Sequence, residues 1–410
     1  MHRLQNPVRH YAWGSGLHIP RLLGEEANGK PWAELWLGAH PGDPSLLEDG
    51  TRLDDAIAAD PTGMLGDRVA AAFGRLPFLM KLLAAGEPLS LQVHPTSEQA
   101  RLAYAAEEAR GVPVDAPERS YRDPSHKPEL IYALTRFEGM AGFRPVQRTV
   151  AILRELRLPW LDELATRLDG TETPFQTLRE VVTDVLGWHG PELVERLADL
   201  GPAAAEAEAR LHAPPSRRRP PVKAAESVER ESLRVYQQTQ ALVARYPEDP
   251  GVVVTLLLNH VVLAAGEAMF VPAGMIHAYT SGFGVEIMAS SDNVLRAGLT
   301  PKHVDVPELL RITDFNPTPP PRWASADRGN VRVFSPPVGE FELVVLEGPC
   351  RTEVGPGPAV VLCLQGEASV RTVSGHEPLH AGMSVFIRSQ HVTVETRSGY
   401  VAVGRYPGSR

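Results

Sequence analysis

Gln92 and His94 stand two residues apart in Leu89-Ser90-Leu91-Gln92-Val93-His94-Pro95, a stretch that alternates strictly after Gly86 and Pro88. A period of two predicts a β-strand with Leu89, Leu91 and Val93 on a core and Ser90, Gln92 and His94 on the other face. That second face carries a hydroxyl, an amide and an imidazole, groups that coordinate a metal or hydrogen-bond a substrate. Glu129 opens the next strand-like run, residues 130–135, and His277 heads another, with Tyr279 at the same parity. A catalytic zinc takes about three N/O protein ligands and leaves one position open. Gln92, His94, Glu129 and His277 are therefore candidate ligands of one zinc ion. The competing reading treats each histidine, one of 14 in the chain, as a hydrogen-bonded structural residue.

A second constellation is polar and dense. In residues 286–303, Glu286 and Met288 share a strand face, Ser290-Ser291-Asp292-Asn293 is turn chemistry, and Arg296 and Lys302 sit beside glycine and proline. Two such cations suit a phosphate or a developing oxyanion. An ion-paired loop is the alternative, and for Lys127, between His126 and Pro128, the alternative is a surface lysine.

These side chains need strands to aim them. Pro95 ends the first strand, and Thr96 with Gln99 forms a capping box that opens a helix to about Arg110. Residues 11–15 and 32–41 read as short strands, and 53–73 as weakly helical. Helical spacing takes over after Pro145: Val150, Ile152, Leu153, Leu156; then Phe175, Leu178, Val181, Val182, Val185, Leu186; then Val228, Val235, Tyr236, Leu242, Val243, Tyr246. The proline- and arginine-rich stretch 213–221 reads as a surface loop. β character is expected again from Gly251, through the apolar run 252–258, and the end of the chain is a string of short strands. Ala265-Gly266-Glu267-Ala268-Met269-Phe270-Val271 leads to His277, and Ala381-Gly382-Met383-Ser384-Val385-Phe386-Ile387 leads to His391. A repeated jelly-roll would produce that echo.

The expected fold is mainly β with a helical insertion: two jelly-roll (cupin) β domains plus an α-helical domain. A discontinuous catalytic part takes residues 1–145 and 248–320, the helical domain 146–247, and a C-terminal β domain without metal 321–410. A net charge of −9 argues against nucleic acid as partner. The two cysteines, Cys350 and Cys363, make neither a disulfide framework nor a thiolate zinc site. No membrane-length apolar run and no signal-type start is found, so a cytoplasmic location is the expectation.

Taken together, residues 89–95, His126-Lys127-Pro128-Glu129, residues 270–279 and residues 291–302 resemble type I mannose-6-phosphate isomerase, the phosphomannose isomerase family. Residues 11–15 and 34–41 fit as well, and the resemblance runs in order through about residue 315. It implies one zinc per chain on Gln92, His94, Glu129 and His277, and interconversion of mannose 6-phosphate and fructose 6-phosphate through a cis-enediol. It also implies an essential arginine at Arg296, an active-site lysine at Lys127, and phosphate contacts from Lys302 and Ser90. The loop 273–276 departs from the acidic or Asn-rich character associated with relatives. Glu286 is the favoured base, with Lys127 or a histidine as rival, and Tyr279 orients a sugar hydroxyl or closes the pocket. The partner would be a small sugar phosphate, met by a monomer. Another metal-dependent cupin enzyme, or a sugar-phosphate-binding cupin without turnover, stays open.

Overall fold

A computed structural model describes residues 1–212, 223–373 and 375–407; the 213–221 stretch lies outside them. The chain is mainly β with a helical insertion, built as two jelly-roll β units and a block of helices. The long strand His277–Ala289 organises the larger β unit. Its first half pairs with Phe137–Phe143 and with Gln92, and its second half lies between Phe78–Ala85 and Glu129–Ala133.

Alternation then sorts the side chains. Met80, Leu82, Leu130, Tyr132, Val285 and Ile287 pack with Leu343, Val345, Val360, Leu362 and Phe386 of the C-terminal unit. Lys81, Glu129 and Glu286, at the opposite parity of the same strands, face the other way. The second unit holds a seven-stranded and a four-stranded sheet, and the N-terminal strand His2–Arg3 joins it by pairing with Ser384–Ile387. The sequence echo marks equivalent turns: Gly266 (φ +90°) enters the strand Ala268–Val271 and Gly382 (φ +86°) enters Ser384–Ile387.

Five helices, Val146–Glu155, Pro159–Leu168, Pro174–Leu186, Gly190–His212 and Lys223–Arg245, cover one end of the larger unit. Their buried stripe includes Val150, Leu153, Leu178, Val182, Val235 and Leu242, continuous with Leu91, Val93 and Leu295 near the polar site. Proline at the first helical position starts two of them. Phe175 departs from the expected stripe: it is 38% exposed, with its ring edge-on to Phe315.

Three local expectations are corrected. The apolar run from 252 begins as the helical turn Gly251–Thr255, and the strand is Leu258–Leu263. Asp249 Oδ1 accepts the Gly251 N–H at 2.8 Å, and burial on every side erases the periodicity that would have told helix from strand. Residues 11–15 form a turn with isolated bridges, closed by the Gly14 N–H to Tyr11 oxygen bond at 2.9 Å. The strand bearing Gln92 is only Leu91–Val93, because residues 86–90 are irregular, with the Leu89 N–H donating to the Tyr279 carbonyl at 2.9 Å. The helix after it is Ser97–Ala109, with both halves of the Thr96/Gln99 capping box formed.

Candidate metal centre

Four strand pairings bring the centre together. Gln92 is the register partner of His277 on one side and of Arg296 on the other. Glu129 pairs with Met288 and Val271 at the adjoining edge. His94, just past its strand, is held by the loop ahead of His277, where the Gly274 N–H donates to the His94 carbonyl at 2.8 Å.

The tautomer of each imidazole follows from what its Nδ1 meets. His94 Nδ1 lies 2.7 Å from the Asn293 carbonyl, and His277 Nδ1 lies 2.9 Å from the Met275 carbonyl. A carbonyl only accepts, so each Nδ1 carries the hydrogen and each Nε2 presents a lone pair. The two Nε2 atoms stand 3.3 and 3.4 Å from the two oxygens of Glu129, with ring centroids 5.0 Å apart. All three residues are buried, and their ligand atoms lie within 4.8 Å of one another. His94 Nε2 and Glu129 Oε2 find no hydrogen-bond partner among the described residues. Converging lone pairs in a buried site repel unless a cation takes them, so this donor set fits a divalent metal of zinc type. Gln92 Nε2 is 3.3 Å from His277 Nε2, which places the amide at the same point.

Electrostatics agree. Burial, then the Lys127 ammonium, pushes the His94 imidazole down to about 4, so it is neutral at ordinary pH. Burial alone would raise the Glu129 carboxyl, yet Lys127, which donates to Oε1, and both histidines hold it well below the usual range.

Glu286 belongs to this group despite its sequence parity. Residues 277 and 286 would face opposite ways in a regular strand. An extra residue between Tyr279 and Ser281 shifts the pairing with Phe137–Phe143 and turns the strand by one side chain. Gly282, just beyond it, has φ +123°, and a Cβ there would lie 2.7 Å from Phe137 Cα, so only glycine fits. The buried Glu286 carboxyl, raised by burial and by the Glu129 charge, sits at about 7. Tyr279 is buried against Phe137, and burial together with Glu286 and Glu129 keeps its hydroxyl protonated.

Two positioning residues were missed from the sequence. Lys81 is buried 3.3 Å from Glu286 and 3.6 Å from Glu34, whose other oxygen accepts the Trp36 indole N–H at 2.7 Å. A lone lysine inside Phe78-Leu79-Met80-Lys81-Leu82-Leu83 was the available signal. Asn293, read only as turn chemistry, supplies the carbonyl that orients His94.

Arg296 is half-buried on the strand Leu295–Gly298, and Lys302 is exposed in the loop that follows. Neither side chain meets a carboxylate among the described residues, which sets aside the ion-paired-loop alternative. Ser90 is half-buried two residues ahead of Gln92.

A family model described as phosphomannose isomerase type I, catalytic domain, matches residues 1–146. Mannose-6-phosphate isomerase of Escherichia coli (strain K12) is 36% identical over 97% of each chain. The Homo sapiens protein of that name is 32% identical over 93% of this chain and 91% of its own. Among solved structures, a lysine-to-alanine variant of phosphomannose isomerase from Salmonella typhimurium superposes with a TM-score of 0.85 at 35% identity, covering 99% of both chains. The Salmonella enzyme described as bound to fructose 6-phosphate and zinc gives 0.84 with the same identity and coverage.

Proposed function

Because this chain belongs to the type I phosphomannose isomerase family, we propose that Gln92, His94, Glu129 and His277 hold the single zinc of its active site. The chain is an aldose–ketose isomerase interconverting D-mannose 6-phosphate and D-fructose 6-phosphate through a cis-enediol. The observation that carries the ligand assignment is the convergence of two Nε2 lone pairs and the Glu129 carboxylate in a buried pocket without enough hydrogen-bond donors.

Zinc bound there supplies a Lewis acid for the charge that grows on the substrate oxygens as the C–H bond breaks. The protein's own groups do the rest. Glu286 takes the C2 proton of the aldose and returns it to C1, while the O2 hydroxyl proton is lost and the aldehyde oxygen gains one. Burial pushes its carboxyl above the ordinary carboxylate range, which favours taking a proton and returning it. Lys127, paired with Glu129, is the rival base. Arg296 faces the enediolate oxygen, Lys302 and Ser90 take the phosphate, and Tyr279 closes the pocket over the sugar. Lys81 anchors Glu286 between two strands, a positioning role.

Residues 1–145 with 248–320 form the catalytic part, 146–247 the helical insertion and 321–410 the second β domain in this reading. It acts as a cytoplasmic monomer on a small sugar phosphate, with neither nucleic acid nor membrane; no described helix is long and apolar enough to span one. Isomerisation of mannose 6-phosphate in deuterated water tests the chemistry. Deuterium at C1 of the fructose 6-phosphate is the expected result. Turnover with none would replace the enediol by a hydride shift.

A further inference from the structure

The second β unit reaches toward the metal centre through one side chain. Glu340 stands two residues ahead of the strand Glu342–Glu347, in a stretch that contains Pro336 and Pro337. Its Oε1 lies 2.7 Å from His126 Nε2, and the two side chains are only 16% and 23% exposed. A carboxylate only accepts, so His126 Nε2 carries the hydrogen and donates it. Phe341, next to Glu340, is fully buried in the cluster that also holds Leu130 of the strand following His126. The contact therefore flanks the core that the two β units share.

His126 and Lys127 lie between two held points. Asn293 Nδ2 donates to the Asp123 and Ser125 carbonyls at 2.6 and 2.8 Å, while its Oδ1 accepts the Arg122 N–H at 2.8 Å. At the other end the Ala289 N–H donates to the Pro128 carbonyl at 3.1 Å. Between those points the peptide groups of His126 and Lys127 make no main-chain hydrogen bond among the described residues. Their side chains diverge: Lys127 Nζ donates to Glu129 Oε1, and the His126 ring goes to Glu340. Pro128 confines Lys127 to extended backbone, so a hold on the His126 ring passes to the lysine with little slack.

We propose that Glu340 is a positioning residue of the isomerase site, supplied by the second β unit: through His126 it sets where the Lys127 ammonium stands against Glu129. The inference rests on the placing of Lys127 and Glu129 in the site given above. Fixing the ring narrows the positions the lysine samples before the reacting geometry is met, and that is an effect on kcat.

Zinc-loaded Glu340→Ala tests this. Loss of a charge-assisted hydrogen bond corresponds to about a tenfold effect. For mannose 6-phosphate kcat should fall about tenfold, while KM, the inhibition constant for inorganic phosphate and the zinc content stay at parental values. Glu340→Gln keeps an acceptor at the same reach and should recover most of the loss. Glu340→Asp withdraws the carboxylate by one methylene and should not recover it; this variant carries the test if Glu340→Ala does not fold. In a Lys127→Ala background Glu340→Ala should cost little more, since the two act on one step. Parental kcat in Glu340→Ala or Glu340→Asp would overturn the role of Glu340, as would an undiminished loss in the Lys127→Ala background. Parental kcat in Lys127→Ala would instead take Lys127 out of the site, and with it the reading on which the inference rests.

Discussion

Gln92 and His277, 185 positions apart, are direct partners across an antiparallel pair, with their side-chain nitrogens 3.3 Å apart. Strand register alone therefore sets one edge of the centre, and Glu129 and His94 complete it from neighbouring segments. Removing a ligand should leave the barrel folded, because the apolar faces of these strands are packed elsewhere. His94→Ala and Glu129→Ala should each weaken zinc binding by at least about a hundredfold, read as metal content after gel filtration. Zinc retained at one per chain in either variant would reject that ligand.

In the proposed mechanism Arg296 acts on charge that exists only as the reaction proceeds. Arg296→Ala should lower kcat by about 10² to 10³ while zinc content stays at the level of the parent protein. Loss of zinc with kcat unchanged would recast Arg296 as a support of the strand bearing Gln92.

The loop from Arg296 to Lys302 is pinned from behind. Asp249 accepts the Gly251 N–H at 2.8 Å and the Thr300 N–H at 3.3 Å, and Leu299 holds a positive φ of 56°. Gly298 has φ +134°, and a Cβ there would lie 2.6 Å from Asp249 Oδ1 and 2.7 Å from Gly251 Cα. Gly298→Ala should therefore displace the loop and lower kcat/KM for mannose 6-phosphate by about 10². Parental kinetics in that variant would show that the loop's position is not critical.

Stability should depend on pH through His260. Burial, then Arg144, pushes its imidazole down to about 3, against an ordinary value near 6.5. The unfolded chain thus binds a proton that the folded chain refuses between those two values. Stability from the neutral form is complete above about pH 6.5 and falls as pH drops, by about 2 kcal/mol at pH 5. Urea midpoints at pH 7 and 5 measure it, and His260→Gln should shrink the difference. An undiminished difference would assign the slope to other groups.

What could be read from the sequence follows from where the information lies. Gln92 and His94 stood out because an amide and an imidazole take the place of charged, solvated side chains in an alternating stretch, and Glu129 because it opens the next strand-like run. The Thr96/Gln99 cap was legible because it is a contact between neighbours. Glu286's membership depended on a bulge at residues 279–281, and no parity count reveals an extra residue. The helical turn at Gly251–Thr255 was hidden because burial on all sides leaves no pattern. Lys81 and Asn293 act through partners distant in sequence, Glu34 at one end and Arg122 to Ser125 at the other, so their roles appear only in three dimensions.

On the proposed reading, one zinc gripped by residues 92, 94, 129 and 277 is required for isomerisation. Its most direct test is to strip the purified protein with a chelator, add zinc back in known amounts, and follow turnover of mannose 6-phosphate. Negligible turnover is expected in the stripped protein, then a linear rise that saturates at one zinc per chain. Full turnover without metal, or saturation only at two, would contradict that reading.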